Sequence, residues 1–321
     1  YRDVDDDGDG VATRDEKPDP NADGNPADAV DADLDDIVDY LDPVINPYIR
    51  LSVRAILQGS YSSSTGLMAD DLRRLAYLPK QQPYGSLSDS FGYTNSPYAV
   101  SPFGHAGKET ISDAIYAVTG NDAVVDWMLV ELRDAANPEK RVMTHASVLQ
   151  RDGDLVDGKT ATKEILIHDV KPGNYYVGID HRNHMGVMTA MPVALSAVTT
   201  LVDFSNPKTA TYGKNAQLTN SKVAMLWAGD VNNSNTIISN GPGSDLNVTL
   251  GALLIAPGNT GVNTAYLMSG YFATDVNLDG TTIYAGPNND TNIILGNVLL
   301  HPENSTFNAN FIINGTVPAF K

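Results

Sequence analysis

Asp5, Asp7 and Asp9 stand at alternate positions ahead of Gly10, and Val11 and Glu16 follow at the spacing D-x-[DN]-x-[DN]-G-x5-E. Each residue type has a chemical reason to be where it is. Alternate carboxylates bring hard oxygen donors around one point, Gly10 allows the sharp turn, Val11 offers its carbonyl and Glu16 closes the shell with both oxygens. The ion that suits such a shell is calcium. A disordered acidic tail would have the charge but not the register. Asp19, Asn21 and Asp23, with Gly24, restart the spacing; Asp31, Asp33 and Asp35 restart it again and are followed by Asp39 and Asp42. At the turn position of this third run Asp36 replaces Gly, and Asp enters the left-handed region less freely.

The same chemistry returns near the other end. Asp230 and Asn232 open a stretch that closes at Asp245, and 45 residues later Asp275, Asn277, Asp279, Gly280 and Thr281 open one that closes at Asp290. The flanks align without a gap: Leu226-Trp227-Ala228 with Tyr271-Phe272-Ala273, and Leu250-Gly251 with Leu295-Gly296. The second copy keeps the full ligand run, whereas the first has Ser234 and Asn235 where Asp and Gly belong. Each copy reads as a calcium half-loop followed by a carboxylate and a short apolar helix or strand.

Other candidate chemistry is thin. His181 and His184 form H-x-x-H without a third ligand, which reads as a hairpin turn with hydrogen-bonded histidines sooner than as a metal pair. There is no G-x-S-x-G, no H-E-x-x-H and no phosphate loop, and with no cysteine there is no thiolate nucleophile or ligand. The expectation is a protein that is not an enzyme.

The elements that carry these residues follow from charge and periodicity. Of the formal charge of −18, most lies in residues 1–42, which hold sixteen acidic side chains against three basic ones. Nothing resembles a basic stripe that could neutralise phosphates, which argues against nucleic acid and disfavours an anionic membrane surface as partners. The acidic segment has few apolar residues, so cations must replace a core there. From Tyr48 the texture changes. Ile49, Leu51, Val53, Ala55 and Leu57 alternate with Arg50, Ser52 and Arg54, the period of a half-buried strand. Met68 to Leu78 predicts one short helix. Val124 to Leu132 is apolar on both sides and predicts a central strand. Val142 to Gln150, Glu164 to His168 and Asn174 to Ile179 predict three more, and Gly186 to Phe204 reads as strands and not as a membrane span. The expected fold is mainly β: an antiparallel, jelly-roll-like β-sandwich over 48–203, flanked by a calcium-loop segment over 1–47 and a duplicated region over 204–321 with a few short helices. Tyr1 follows no initiator Met or charged-then-apolar leader, which reads as a mature chain or a fragment.

Asp31, Asp33, Asp35, Asp39 and Asp42 resemble the unit of thrombospondin type 3 repeats, which implies calcium-wrapped, stiff extracellular linkers. The duplicated C-terminal loops resemble a dockerin duplication, with the closing Asp four residues later than dockerin spacing. Together with Gly173-Asn174-Tyr175-Tyr176-Val177 and His181-Arg182-Asn183-His184, the chain resembles the ends of large secreted surface proteins of the Bacteroidetes group. The resemblance implies a cell-surface or extracellular location. The leading expectation is therefore a calcium-stabilised structural or adhesive protein, self-associating as a homo-oligomer or head-to-tail fibre. The alternative is a carbohydrate-binding module of a larger secreted enzyme or adhesin, with Tyr84, Tyr93, Tyr98 and Phe103 as a platform for a glycan. A hydrolase using His181 or His184 is the third reading.

Overall fold

The computed structural model describes residues 4–32, 37–43, 47–84, 109–168 and 170–318. The first sheet forms around Tyr48–Arg54, where Ile49, Leu51 and Val53 are buried and the residues between them are half-buried, as alternation requires. This strand pairs antiparallel with Ile165–His168 and parallel with Thr200–Asp203. The parallel pairing departs from the all-antiparallel expectation. The chain visits the second sheet and returns to the free edge running in the original direction, which no local pattern encodes.

The second sheet has the order Val193–Leu195, Gly173–Asp180, Val124–Asp134, Arg141–Gln150, Leu155–Val156, with Val187–Met188 also paired to Gly173–Asp180. Val124–Asp134 is the central strand, with ladders on both sides and burial on both faces. Side chains of both sheets, among them Ile49, Leu51, Trp127 and Leu129, share one hydrophobic core. That core also takes in Val223, Leu226 and Leu278 from the C-terminal region. The helix expected between Met68 and Leu78 is only one turn, Asp71–Arg74. Ala76 turns into the left-handed region at φ 58° and Leu75 stays 47% exposed, so the segment had no apolar stripe long enough to continue.

The C-terminal region consists of two tandem units, residues 226–270 and 271–315, longer than the aligned flanks alone indicate. Each carries one helix, Asp245–Leu254 or Asp290–Leu300, capped by Ser244 or Asn289 accepting from the N–H three residues on. After each helix a buried Asn staples the following loop. Asn259 Nδ2 donates to the Leu253 and Asn263 carbonyls, and Asn304 Nδ2 to those of Val298 and Asn308. The units exchange strands. Thr236–Ile238 of the first pairs with Ile312–Asn314 at the end of the second, and Thr281–Thr282 of the second pairs with Met268–Ser269 at the end of the first. Even the flanking bonds correspond: Gly315 N–H to Asn235 O at 2.8 Å, and Gly270 N–H to Gly280 O at 3.0 Å. Shifting by 45 residues maps each ladder onto the other, so the pair has two-fold pseudosymmetry. A second core, including Trp227, Val231, Ile237, Val276, Ile294 and Ile313, lies between the units.

Candidate metal centres

Four loops share one hydrogen-bond scheme. The carboxylate of the first residue accepts backbone N–H groups from within its own turn: Gly8 and Gly10 on Asp5, Asp23 and Gly24 on Asp19, Ser234 and Asn235 on Asp230, Asp279 and Gly280 on Asp275. The third residue, Asp7, Asn21, Asn232 or Asn277, accepts the N–H of the fifth. In three loops the fifth, Asp9, Asp23 or Asp279, accepts the N–H of the seventh, which is Val11, Asn25 or Thr281. Such a scheme gathers side-chain oxygens on the inside of a tight turn, and the turn needs a left-handed sixth residue. Gly10, Gly24 and Gly280 provide it, and Asn235 adopts it at φ 60°, so the first C-terminal copy keeps the turn despite lacking Gly. Its Ser234 leaves it one carboxylate poorer.

The acidic segment holds two compact donor sets among the described residues. One carboxylate oxygen each from Asp5, Asp7 and Asp9 lie within 4.8 Å of one another, as do those from Asp19, Asp23 and Asp28. Asp7 Oδ2 and Glu16 Oε2 are shut from solvent, with no hydrogen-bond donor among the described residues. Desolvation, then the charges of Asp7, Asp9, Asp5 and Asp39, push Glu16 up from the ordinary carboxyl range. Acceptors turned inward at this spacing, carboxylate oxygens all, suit a hard divalent cation, so this donor set fits calcium. Asp28 was not marked by sequence: it sits nine residues after Asp19, short of the closing position that Glu16 takes after Asp5. Asp39, grouped by spacing with the third run, accepts Ala32 N–H and faces Glu16, because the Thr13–Glu16 and Asp39–Leu41 turns lie against each other. The segment therefore folds back between its first and third runs. Asp42 and Asp31 lie nearby in the chain, while Asp33 and Asp35 fall outside the described residues.

In the C-terminal units the closing carboxylates anchor the loop. Asp245 Oδ1 accepts Val231 N–H at 3.0 Å and Oδ2 accepts Ile238 N–H at 2.8 Å; Asp290 does the same for Val276 at 2.6 Å and Ile283 at 2.8 Å. All four opening and closing aspartates are buried. Desolvation pushes Asp230 up to about 7, with Asp245 and Asp180, both of like charge, adding to it. Asp275 also rises to about 7 by desolvation, Arg182 opposing and Asp290 assisting. Asp245 and Asp290 rise to about 6, again chiefly by desolvation. Each unit thus buries two carboxylates held by neutral backbone donors, and a divalent cation would supply the missing charge.

The histidines do other work. His181 Nε2 lies 3.1 Å from Asp126 Oδ2, which also takes Arg182 Nε at 3.0 Å, while Tyr271 Oη donates to Asp126 Oδ1 at 2.7 Å. Gly59 N–H donates to His184 Nε2, so the proton of that ring is on Nδ1, directed at Asn183 Oδ1 2.7 Å away. Asn183 Nδ2 in turn donates to the Ala273 and Asp275 carbonyls. Both rings are buried, and desolvation lowers both below the usual histidine range, so they are neutral and their nitrogens are engaged. Although burial works to raise Asp126, the charge of Arg182 and the bonds from His181 and Tyr271 hold it well below the usual carboxylate range. This hairpin between Gly173–Asp180 and Val187–Met188 also reaches the first unit, where Gly229 N–H donates to Asn183 O. It ties both loop entries to the central strand. Gly59 is required there, since a Cβ would fall 1.9 Å from Val276 O.

The aromatic platform is corrected at Tyr84. Its ring is fully buried and its hydroxyl donates to Trp127 O at 2.9 Å, because the sandwich core needed a large side chain there. Tyr93, Tyr98 and Phe103 lie outside the described residues.

No family model matches the chain, and no curated protein matches it. Among solved structures, a type II cohesin–X-dockerin complex from Acetivibrio cellulolyticus, an N-terminal interface mutant, aligns with 53% of this chain and 78% of that chain at 16% identity and a TM-score of 0.27. So loose a superposition says nothing of what this chain binds. Among the described residues no helix is long and apolar enough to cross a membrane.

Proposed function

We propose that this is a non-enzymatic extracellular protein whose shape is held by calcium, a structural or adhesive surface component that assembles head to tail with copies of itself. The observation that carries the reading is the common scheme of the four loops, with buried or donorless carboxylate oxygens gathered inside it. Asp5, Asp7, Asp9, Glu16 and the Val11 carbonyl would hold one ion; Asp19, Asn21, Asp23 and Asp28 a second. Asp230, Asn232 and Asp245, and Asp275, Asn277, Asp279, Asp290 and the Thr281 carbonyl, would hold the C-terminal ions. Calcium would supply positive charge at the turns and lock the acidic segment, which has little core of its own. The C-terminal loops, with two or three carboxylates each, suit the near-millimolar calcium found outside cells. A heterologous contact that does not close on itself generates a filament, and an ordered acidic segment offers one half of such a contact.

The test is to follow thermal unfolding, protease resistance and particle size with calcium and with a chelator, with negative-stain images of both samples. Loss of all three on chelation supports the reading. Unchanged behaviour in chelator refutes it, and a saturable, specific glycan-array signal without assembly would favour a carbohydrate-binding module.

A further inference from the structure

The two C-terminal units match in backbone but not in every ring. Trp227 packs on His301 with centroids 5.3 Å apart, and His301 stacks on Phe311 at 5.2 Å with 28° between the planes, so an imidazole lies between two larger rings. The 45-residue relation carries Trp227 to Phe272, His301 to Ala256 and Phe311 to Tyr266. The outer positions keep aromatic rings and the middle one keeps only a methyl group. A cavity of about 520 Å³ opens at that place, lined by Ala256, Tyr266 and Phe272 together with Ile255 and Met268. One half of the pseudosymmetric pair therefore contains a three-ring cluster, and the other has aromatic residues at both outer positions, a methyl group at the middle one and a cavity between them.

We propose that this cavity binds a single planar aromatic ring, held between Phe272 and Tyr266 as His301 is held between Trp227 and Phe311. Its walls are fixed. The Tyr266 hydroxyl sits where a Cβ on Gly258 would lie 2.2 Å away, so glycine makes room for it where the other unit has Glu303. The backbone at Phe272 is fastened by the Arg182 guanidinium, which donates to its carbonyl. Among the described residues no charged side chain lines the cavity, so the ring is uncharged. Polar side chains in the lining are Ser269, Thr274 and the Tyr266 hydroxyl, and Thr274 Oγ1 is already bonded to Thr282 Oγ1, so a sugar finds few partners for its hydroxyls. Phe272 is 37% exposed and Ile255 82% exposed, which leaves an apolar rim open for entry. The ring belongs either to a free small molecule or to an aromatic side chain of another polypeptide, and the chemistry of the site is the same for both. Ring binding needs folded units and is independent of the calcium reading.

The test uses the full chain with calcium present and ¹⁹F NMR of 5-fluoroindole as the free-ring probe, N-acetyl-tryptophanamide as the side-chain probe and methyl β-glucoside as the sugar probe. Broadening of the fluoroindole line, or protein shifts caused by the tryptophanamide, is the expected result. Ala256→His restores the missing ring and should reduce binding at least tenfold while raising the thermal midpoint. Phe272→Leu, which leaves the cavity open, should weaken binding with an unchanged circular dichroism spectrum. Binding by the glucoside alone, no binding by either aromatic probe, or equal aromatic binding by wild type and both variants would overturn the proposal.

Discussion

Replacing Asp275 by Asn should change stability in opposite directions with and without calcium. From the ordinary 3.8, Asp275 is raised to about 7 and Asp290 to about 6 in the folded chain. At about 1.4 kcal/mol per tenfold change in proton affinity, keeping Asp275 ionised in the fold costs on the order of 4 kcal/mol and Asp290 on the order of 3. The two are not additive, because Asp290 contributes to the rise at Asp275. Both groups are raised, so the metal-free fold is most stable where they carry protons and loses stability as pH climbs from about 4 through about 7. Calcium binds the ionised form and should abolish that loss. Asp275→Asn removes a charge and keeps an oxygen for the Gly280 N–H; it gives up the longer bond from Asp279 N–H, worth about 1 kcal/mol against the larger cost of the buried charge, so in chelator at pH 8 its thermal midpoint should rise by several degrees. In saturating calcium the same variant lacks a ligand and its midpoint should fall. The assay is differential scanning calorimetry at pH 5, 6, 7 and 8 in both conditions. A change of the same sign in both, or a pH profile indifferent to calcium, would refute the reasoning.

Other expectations are equally direct. Asp126→Asn leaves Arg182 buried without its counter-charge and should cost about 3–5 kcal/mol by guanidinium denaturation. Asp180, raised to about 7 chiefly by desolvation and then by the charge of Glu131, destabilises the fold as pH rises through that value; Asp180→Asn at constant calcium should flatten the stability profile between pH 5 and 8. Val262 is β-branched, 63% exposed and held at φ 48°, so Val262→Gly should stabilise the chain by about 1 kcal/mol, read from its urea midpoint. Limited proteolysis should cut between residues 4 and 42 in chelator and spare that stretch in calcium.

What could be read from the chain beforehand was local. Alternation at Ile49, Leu51 and Val53, the two-sided apolarity of Val124 to Leu132 and the turn spacing at Asp5, Asp19 and Asp275 depend on neighbours a few residues away, where periodicity carries the signal. The parallel pairing of Leu51 with Thr200 joins distant parts of the chain and left no local trace. Nor did the approach of Asp39 to Glu16, or the bond from Tyr271 to Asp126. Tyr84 stood at the head of a polar, tyrosine-rich stretch and looked like surface, yet a vacancy in the core decided its place. The duplication was visible as aligned aspartates, but the crossing of its ladders was not, because a three-residue strand such as Ile312–Asn314 does not name its partner.

That crossing has a consequence for how such a chain could have arisen. A solitary 45-residue unit would hold one half of each of two ladders, and could complete them only by meeting another molecule of itself. Its integrity would then have depended on how many copies were present. Joining two units in one polypeptide replaces that dependence with a fixed local concentration of the partner. It also frees each half to drift, and the position that holds His301 in one half and Ala256 in the other shows the two already diverging.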